Sequence, residues 1–397
     1  MNTKIENKDF IIFAEGRWDA NTSDSVKAEL DAILPLIPEE CTRLILDMRG
    51  LSYISSKGIR LLMHLQKSSP LPLVILNVSR GIFEILEMTG ITEIIDVRRR
   101  LRRINIEGCE LIGIGGRANV YRLNQDTIVK VYFCSREKAE ELIRSEQEKA
   151  RLAFVQGIQT AIPYDMVLVG DKFGSVFELV NAHSFHSIYI SDPLHSDDLV
   201  KEYVAFLKNM HSKEIISDKL PMASRQLLRE LDCIRDLVTE EQYLRVKELL
   251  EALPEDYHLV HGDYQMKNVM LSEGIPVVID MDTMCTGQDI FDLQALYVTY
   301  RAFPEDDPNE GRDFLQTDSE TISRLWKKIL MFYFNTEDPA SLSALEDEIS
   351  VVGSIHFLYL LRDLGLDKGE LAERRIQHTK EHLTRVLPGI SKLNSWS

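Results

Sequence analysis

His261-Gly262-Asp263-Tyr264-Gln265-Met266-Lys267-Asn268, followed after a short gap by Pro276-Val277-Val278-Ile279-Asp280, is the stretch that organises the rest of this sequence. Asp263 and Asn268 share one short loop after the apolar pair Leu259-Val260, and Asp280 ends an apolar run. Two short strands therefore present oxygen-bearing side chains at their ends. Asp, Asn and Gly are ordinary turn residues, but here two such segments follow one another in close order. Hard oxygen donors suit Mg²⁺. Beside them, one carboxylate can take the proton of an attacking hydroxyl while an amide and a second carboxylate hold the metal against phosphates.

The pattern His-Gly-Asp-x-x-x-x-Asn, with Ile-Asp after a hairpin, resembles the catalytic and metal-binding loops of the aminoglycoside phosphotransferase and choline kinase group, within the protein-kinase-like fold. The resemblance implies that Asp263 is the catalytic base, that Asn268 and Asp280 are the Mg²⁺ ligands, and that His261 braces the loop. It also matches Asp292, in Asp289-Ile290-Phe291-Asp292-Leu293, to the aspartate that steadies the catalytic loop in that group.

Upstream, Leu111-Ile112-Gly113-Ile114-Gly115-Gly116-Arg117-Ala118-Asn119-Val120-Tyr121 is rich in glycine between two expected strands, so its backbone can approach phosphates closely. Gly113, Gly115 and Gly116 are the candidate contacts, with Ala118 standing where the kinase pattern has a third glycine. Thr127-Ile128-Val129-Lys130-Val131-Tyr132 reads as a strand with one lysine at its centre. By resemblance Lys130 contacts the nucleotide phosphates, and an acid on the helix that Ser135 opens pairs with it. That acid is Glu146, with Glu148 as the alternative that spacing does not separate. Ala139, Leu142, Ile143, Ala150 and Phe154 are expected to share the apolar face of this helix. Val176-Phe177-Glu178-Leu179-Val180 is expected to lead into the hinge between lobes, with backbone groups of Glu178 and Val180 at the adenine edge. Helices are expected over the segments that follow, and the resemblance places the acceptor pocket among those after the metal loop. Glu305, Asp306, Glu346, Asp347 and Asp363 are acids there that could meet a cationic acceptor or simply face solvent.

The first part of the chain is a separate α/β module. Phe10-Ile11-Ile12-Phe13-Ala14, Leu44-Ile45-Leu46-Asp47 and Leu73-Val74-Ile75-Leu76 read as buried strands, alternating with helices that begin near Thr22 and Ser55 and at Ile82. Leu46-Asp47-Met48-Arg49-Gly50-Leu51-Ser52-Tyr53-Ile54-Ser55-Ser56-Lys57-Gly58-Ile59 resembles the signature of the STAS domain of bacterial anti-sigma factor antagonists. The resemblance places Ser56 at the position those antagonists phosphorylate and implies a protein partner. The regulated antagonists usually carry Asp where this chain has Ser55. A helix N-terminus accommodates a phosphate, and Ser55 and Ser56 equally suit plain helix capping.

These readings divide the chain into a STAS-like domain at 1–97, a basic linker at 98–105 containing Arg98-Arg99-Arg100-Leu101-Arg102-Arg103, a kinase-like N-lobe at 106–180 and a helical C-lobe at 181–397. The expected fold class is an α/β STAS module plus an α+β two-lobed protein-kinase-like domain. The basic run reads as a solvated linker or a surface that docks on the kinase domain. A chain of 397 residues has room for several cores, and its 44% hydrophobic and 27% charged composition is that of a globular protein. A net charge of -17 argues against a general nucleic-acid binder, which needs basic surface. The polar start and the lack of any membrane-length apolar run lead to the expectation of a cytoplasmic protein without membrane association. Five scattered cysteines suggest neither a disulfide framework nor a zinc site.

The expected activity is transfer of the γ-phosphate of ATP, with Mg²⁺, to a hydroxyl of a small molecule, under a regulatory STAS domain. One alternative is a protein kinase that phosphorylates Ser56 of its own STAS domain, although Gln265 stands where protein kinases have a lysine. The other is a catalytically silent nucleotide sensor, although Lys130, Asp263, Asn268 and Asp280 are all present.

Overall fold

Phe10, Ile12 and Ala14 turn inward along the strand Asp9–Trp18, the alternation that a strand with one buried face requires. In the computed structural model, which describes residues 1–307, 309, 313–394 and 396, this strand belongs to the first of two units, Met1–Ile104 and Asn105–Ser397.

The first unit is a single sheet in the order β1 (Asn2–Glu6), β2 (Asp9–Trp18), β3 (Arg43–Ile54), β4 (Leu73–Val78), β5 (Asp96–Arg99). β1 pairs antiparallel with β2, and the other neighbours are parallel. Parallel neighbours need crossovers, here supplied by α1 (Ser23–Ile33), α2 (Ser56–Ser68) and α3 (Arg80–Met88). The α/β reading holds, with β1 and β5 added at the edges. One boundary differs. Arg98 and Arg99, read as linker, belong to β5, where Val78 pairs with Arg99, Arg98 bonds Asp96 and the Arg99 guanidinium lies 5.1 Å above the Phe83 ring. An edge strand uses such charged residues without burying them. Ser55 caps α2 by accepting from the Gly58 N–H, and Ser56 is the exposed first residue of that helix.

In the second unit an antiparallel sheet runs in the order Pro163–Val169, Lys172–Glu178, Thr127–Tyr132, Ala118–Arg122, Glu110–Ile114. The helix Arg136–Val155 packs against it, capped by Ser135. Ala139, Ile143 and Ala150 of this helix are buried as expected, but Phe154 is exposed, and Ala153 beside it takes the buried position in the last turn. The remainder is mainly helical, with two small sheets that include Val269–Ser272 paired with Ile275–Val278; its main helices are Asp197–His211, Ala223–Cys233, Glu240–Glu251, Ile290–Tyr297, Ser319–Phe334, Pro339–Asp363 and Glu370–Val386. Ile290–Tyr297 is buried on every face, the condition of a central helix. Pro339–Asp363 crosses it closely at Gly353, where an added Cβ would stand 2.4 Å from the Tyr297 ring. This central helix carries Asp292 and so sets the position of everything that bonds to it.

Candidate active site

Leu259–Val260 is a fully buried two-residue strand paired with Cys285–Thr286, and it delivers the chain to His261 inside the protein. The Asp292 carboxylate accepts from the His261 N–H at 3.0 Å and the Gly262 N–H at 2.7 Å, and His211 Nε2 lies 2.9 Å from it. Burial works against its charge, but the bonds and charges of His211 and His261 together outweigh it and hold the Asp292 pKa below the usual carboxylate range. Gly262 has φ +84°, and a Cβ there would lie 2.7 Å from the Thr283 carbonyl, so only glycine fits. His261 accepts the Asp263 N–H at Nδ1 (3.2 Å) and bonds the Ile279 carbonyl through Nε2 (3.1 Å). The loop from His261 to Asn268 and the strand before Asp280 are thereby tied through one imidazole.

Asp263 receives Gln265 Nε2 at 3.1 Å and Asn268 Nδ2 at 3.0 Å. With its Nδ2 so engaged, Asn268 keeps Oδ1 as the atom able to meet a cation. Burial pushes the Asp263 carboxyl up to about 6.

Lys130 Nζ lies 3.0 Å from Glu146 Oε1 and 2.7 Å from Asp280 Oδ1. Burial alone would lower the lysine's pKa, but the two carboxylates, Glu146 above all, raise it well above its usual value. Glu146 is 3% exposed and also accepts from the Tyr132 hydroxyl, whereas Glu148 pairs with Lys219. The geometry thus separates two acids that spacing left equal. Asp280 adopts a left-handed conformation (φ 64°, ψ 62°), and Lys130 outweighs burial to hold its carboxyl below the usual range.

Gly115 and Gly116 form the tip of the hairpin between Glu110–Ile114 and Ala118–Arg122, with the Gly115 N–H donating to the Ala118 carbonyl at 2.9 Å. Gly113 lies on the first of these strands, where a Cβ would meet Val120 at 3.4 Å. Glu178 ends its strand with its own N–H donated to the Ile162 carbonyl at 2.9 Å, so that group is not a free donor, and Val180 follows just outside the strand. Lys130, Glu146 and Asp280 are therefore bonded together and Asp263 is bonded to Asn268, while Glu178 and Val180 make no bond to either group. Ser56 belongs to the other unit.

The oxygens present fit Mg²⁺. Among the described residues no cluster of three or more His, Cys, Asp or Glu forms a metal cage, but Mg²⁺ is typically held by one or two protein oxygens together with substrate phosphates. Asn268 Oδ1 and Asp280 are the residues that would hold it. Asp282 adds a third acid beside Asp263 and Asp280, and its pKa is raised, first by burial and then by the Asp280 charge, so a cation would relieve the crowding.

Several residues escaped the sequence reading. Asp282 was visible in Ile279-Asp280-Met281-Asp282 as a second acid two positions on. His211, Tyr300, whose hydroxyl accepts the Met266 N–H at 2.9 Å, and Lys149, whose Nζ donates to the Asp282 carbonyl at 2.6 Å, gave no local signal. The acids weighed as acceptor contacts are largely held by the chain's own nitrogen-bearing side chains. Asp363 bonds Arg117 of the glycine-rich loop at 2.9 Å, Glu305 and Glu346 pair with Arg301, and Asp306 pairs with His378.

The model of a phosphotransferase enzyme family matches residues 109–329, and the STAS domain model matches residues 1–104. No curated protein matches the chain. Similar solved structures include an aminoglycoside phosphotransferase with ADP bound, 17% identical, covering 77% of this chain and 97% of that one with a TM-score of 0.47. Another is a choline/ethanolamine kinase family protein from Mesorhizobium loti, 14% identical, covering 70% and 91% with a TM-score of 0.45. A third is an aminoglycoside phosphotransferase from Streptomyces rimosus, 13% identical, covering 71% and 99% with a TM-score of 0.42. With the family model spanning more than half of its length and the STAS model preceding it, the chain belongs to the phosphotransferase enzyme family and carries an N-terminal STAS domain.

Proposed function

We propose that this chain transfers the γ-phosphoryl group of ATP to a hydroxyl of a small molecule. The observation that carries the reading is a pair of bonded groups: Lys130 between Glu146 and Asp280, and Asp263 held by Asn268 on the loop that follows His261.

In this reading the glycine-rich hairpin and Lys130 hold the triphosphate, and backbone groups near Glu178 and Val180 receive the adenine. Lys130 exchanges Asp280 for phosphate oxygens and remains anchored by Glu146. Mg²⁺, when bound through Asn268 and Asp280, supplies charge neutralisation to the phosphates. Asp263 orients the acceptor hydroxyl and takes its proton. The acceptor oxygen bonds to the γ-phosphorus, the bond to the β,γ-bridging oxygen breaks, and its electron pair leaves on ADP. The STAS domain is read as a regulatory module that binds a protein, with exposed Ser56 as its candidate modification site.

The test is ADP release by the full chain with Mg²⁺ and ATP across aminoglycosides, amino alcohols and sugars, with the protein's mass followed in parallel. Acceptor-dependent release should fall about 10²–10⁴-fold in Asp263→Asn. Phosphate on Ser56 of the wild type alone would make the chain a self-modifying switch, and nucleotide binding without any turnover would make it a sensor.

A further inference from the structure

Asp280 is held in a backbone conformation that non-glycine residues rarely adopt. Something outside the loop must hold it there. The bond from Lys130 to the Asp280 carboxylate cannot serve during turnover if the phosphotransferase reading is right, because the lysine is then needed at the phosphates and the carboxylate at the metal.

A second lysine is placed differently. Asp280 is followed by a single 3-10 turn, Met281–Thr283. Carbonyls at the end of such a turn lack partners within it and carry the negative end of its dipole. Lys149 Nζ meets one of them, the Asp282 carbonyl, at 2.6 Å, and the lysine is only 7% exposed. An ammonium buried this far is costly unless it is bonded. Its contact is to backbone, so it does not itself occupy the Asp280 or Asp282 carboxylate.

Lys149 stands on the helix Arg136–Val155, three residues after Glu146. At about 1.5 Å of rise per residue the two lie roughly 4.5 Å apart along the axis. One rigid helix thus presents Glu146 to the phosphate lysine and Lys149 to the metal turn, and the helix packs against that turn. Any shift of the helix moves both contacts together.

We propose that Lys149 is a positioning residue that holds the metal turn through the Asp282 carbonyl, keeping Asp280 presented after Lys130 has moved to the phosphates. The proposal rests on the reading of Asn268 and Asp280 as Mg²⁺ ligands. The experiment is calorimetric titration of the full chain with ADP, in excess Mg²⁺ and in EDTA, for wild type, Lys149→Met and Lys149→Gln. Methionine keeps the length of the side chain and removes the buried charge, and the glutamine amide keeps a donor. Thermal unfolding of each variant confirms that it is folded before titration. The Mg²⁺-dependent gain in ADP affinity should shrink at least tenfold in Lys149→Met and recover in part in Lys149→Gln, with affinity in EDTA changed less than twofold. An unchanged Mg²⁺-dependent gain in folded Lys149→Met overturns the proposal, as does an equal loss in EDTA, which would mark Lys149 as merely structural. A wild type whose ADP affinity ignores Mg²⁺ overturns the underlying metal-site reading, and it is told apart by appearing without any substitution.

Discussion

The Lys130 ammonium lies 2.7 Å from the Asp280 carboxylate, so the group expected at the phosphates and the group expected at the metal neutralise one another when neither ligand is bound. In the proposed reading, entry of a magnesium nucleotide exchanges this bond for two others. Asp280→Asn weakens the lysine's tie and leaves it with Glu146. ADP affinity in EDTA should stay the same or rise, while the Mg²⁺-dependent part disappears. Turnover should fall at least about 100-fold, since a metal ion contributes several kcal/mol of charge stabilisation. Titrations with and without Mg²⁺, with initial rates, check this; an Asp280→Asn protein that still gains affinity from Mg²⁺ would refute the ligand assignment.

Gly262 packs against the turn Met281–Thr283. Its φ of +84° and the 2.7 Å that would separate an added Cβ from the Thr283 carbonyl leave no room for a side chain. Gly262→Ala should destabilise the second unit by on the order of 2 kcal/mol or more, combining left-handed strain with a backbone clash. Denaturant unfolding reads this directly. A midpoint equal to that of the wild type would mean that the loop takes another path.

His382 gives a stability signature in mildly acid solution. Its Nδ1 accepts from the Arg385 guanidinium at 2.8 Å and its Nε2 lies 2.7 Å from Ser350 Oγ, an arrangement that fits neutral imidazole. Burial, and after it the Arg385 charge, push its pKa down to about 4. In the unfolded chain the group takes a proton near its ordinary value of about 6.5. Between those values the unfolded chain binds a proton that the folded chain refuses, so stability present above about 6.5 is lost as pH falls towards about 4. His382→Gln should lose less stability than the wild type over that window when unfolding free energies are compared at several pH values. Parallel curves would show that the histidine is not responsible.

Much of the candidate site was legible because its signals are local. Asp263, Asn268 and Asp280 lie in two short segments whose order and spacing announce them, and Lys130 sits at the centre of a strand behind a glycine-rich hairpin. The STAS module was legible through alternating apolar strands and amphipathic helices, each of which depends on neighbours in sequence. The partner of Lys130 was not settled at that level. Glu146 and Glu148 are both acids on one helix, and only the direction each faces sends the first to Lys130 and the second to Lys219. The boundary near Arg98 was misplaced for a related reason, since a charged edge strand and a charged linker have the same composition.

Sequence by itself determined the family, the two domains, and which residues carry oxygen and ammonium groups to the site, because these follow from residue type and short spacing. Tertiary structure decided how those groups are held. Asp292 reaches His261 and Gly262 across about thirty positions of chain, and Lys149 reaches Asp282 across more than a hundred. Contacts of that separation are fixed by how the buried helix Ile290–Tyr297 and the helix Arg136–Val155 pack, and packing is a property of the whole core rather than of any segment within it.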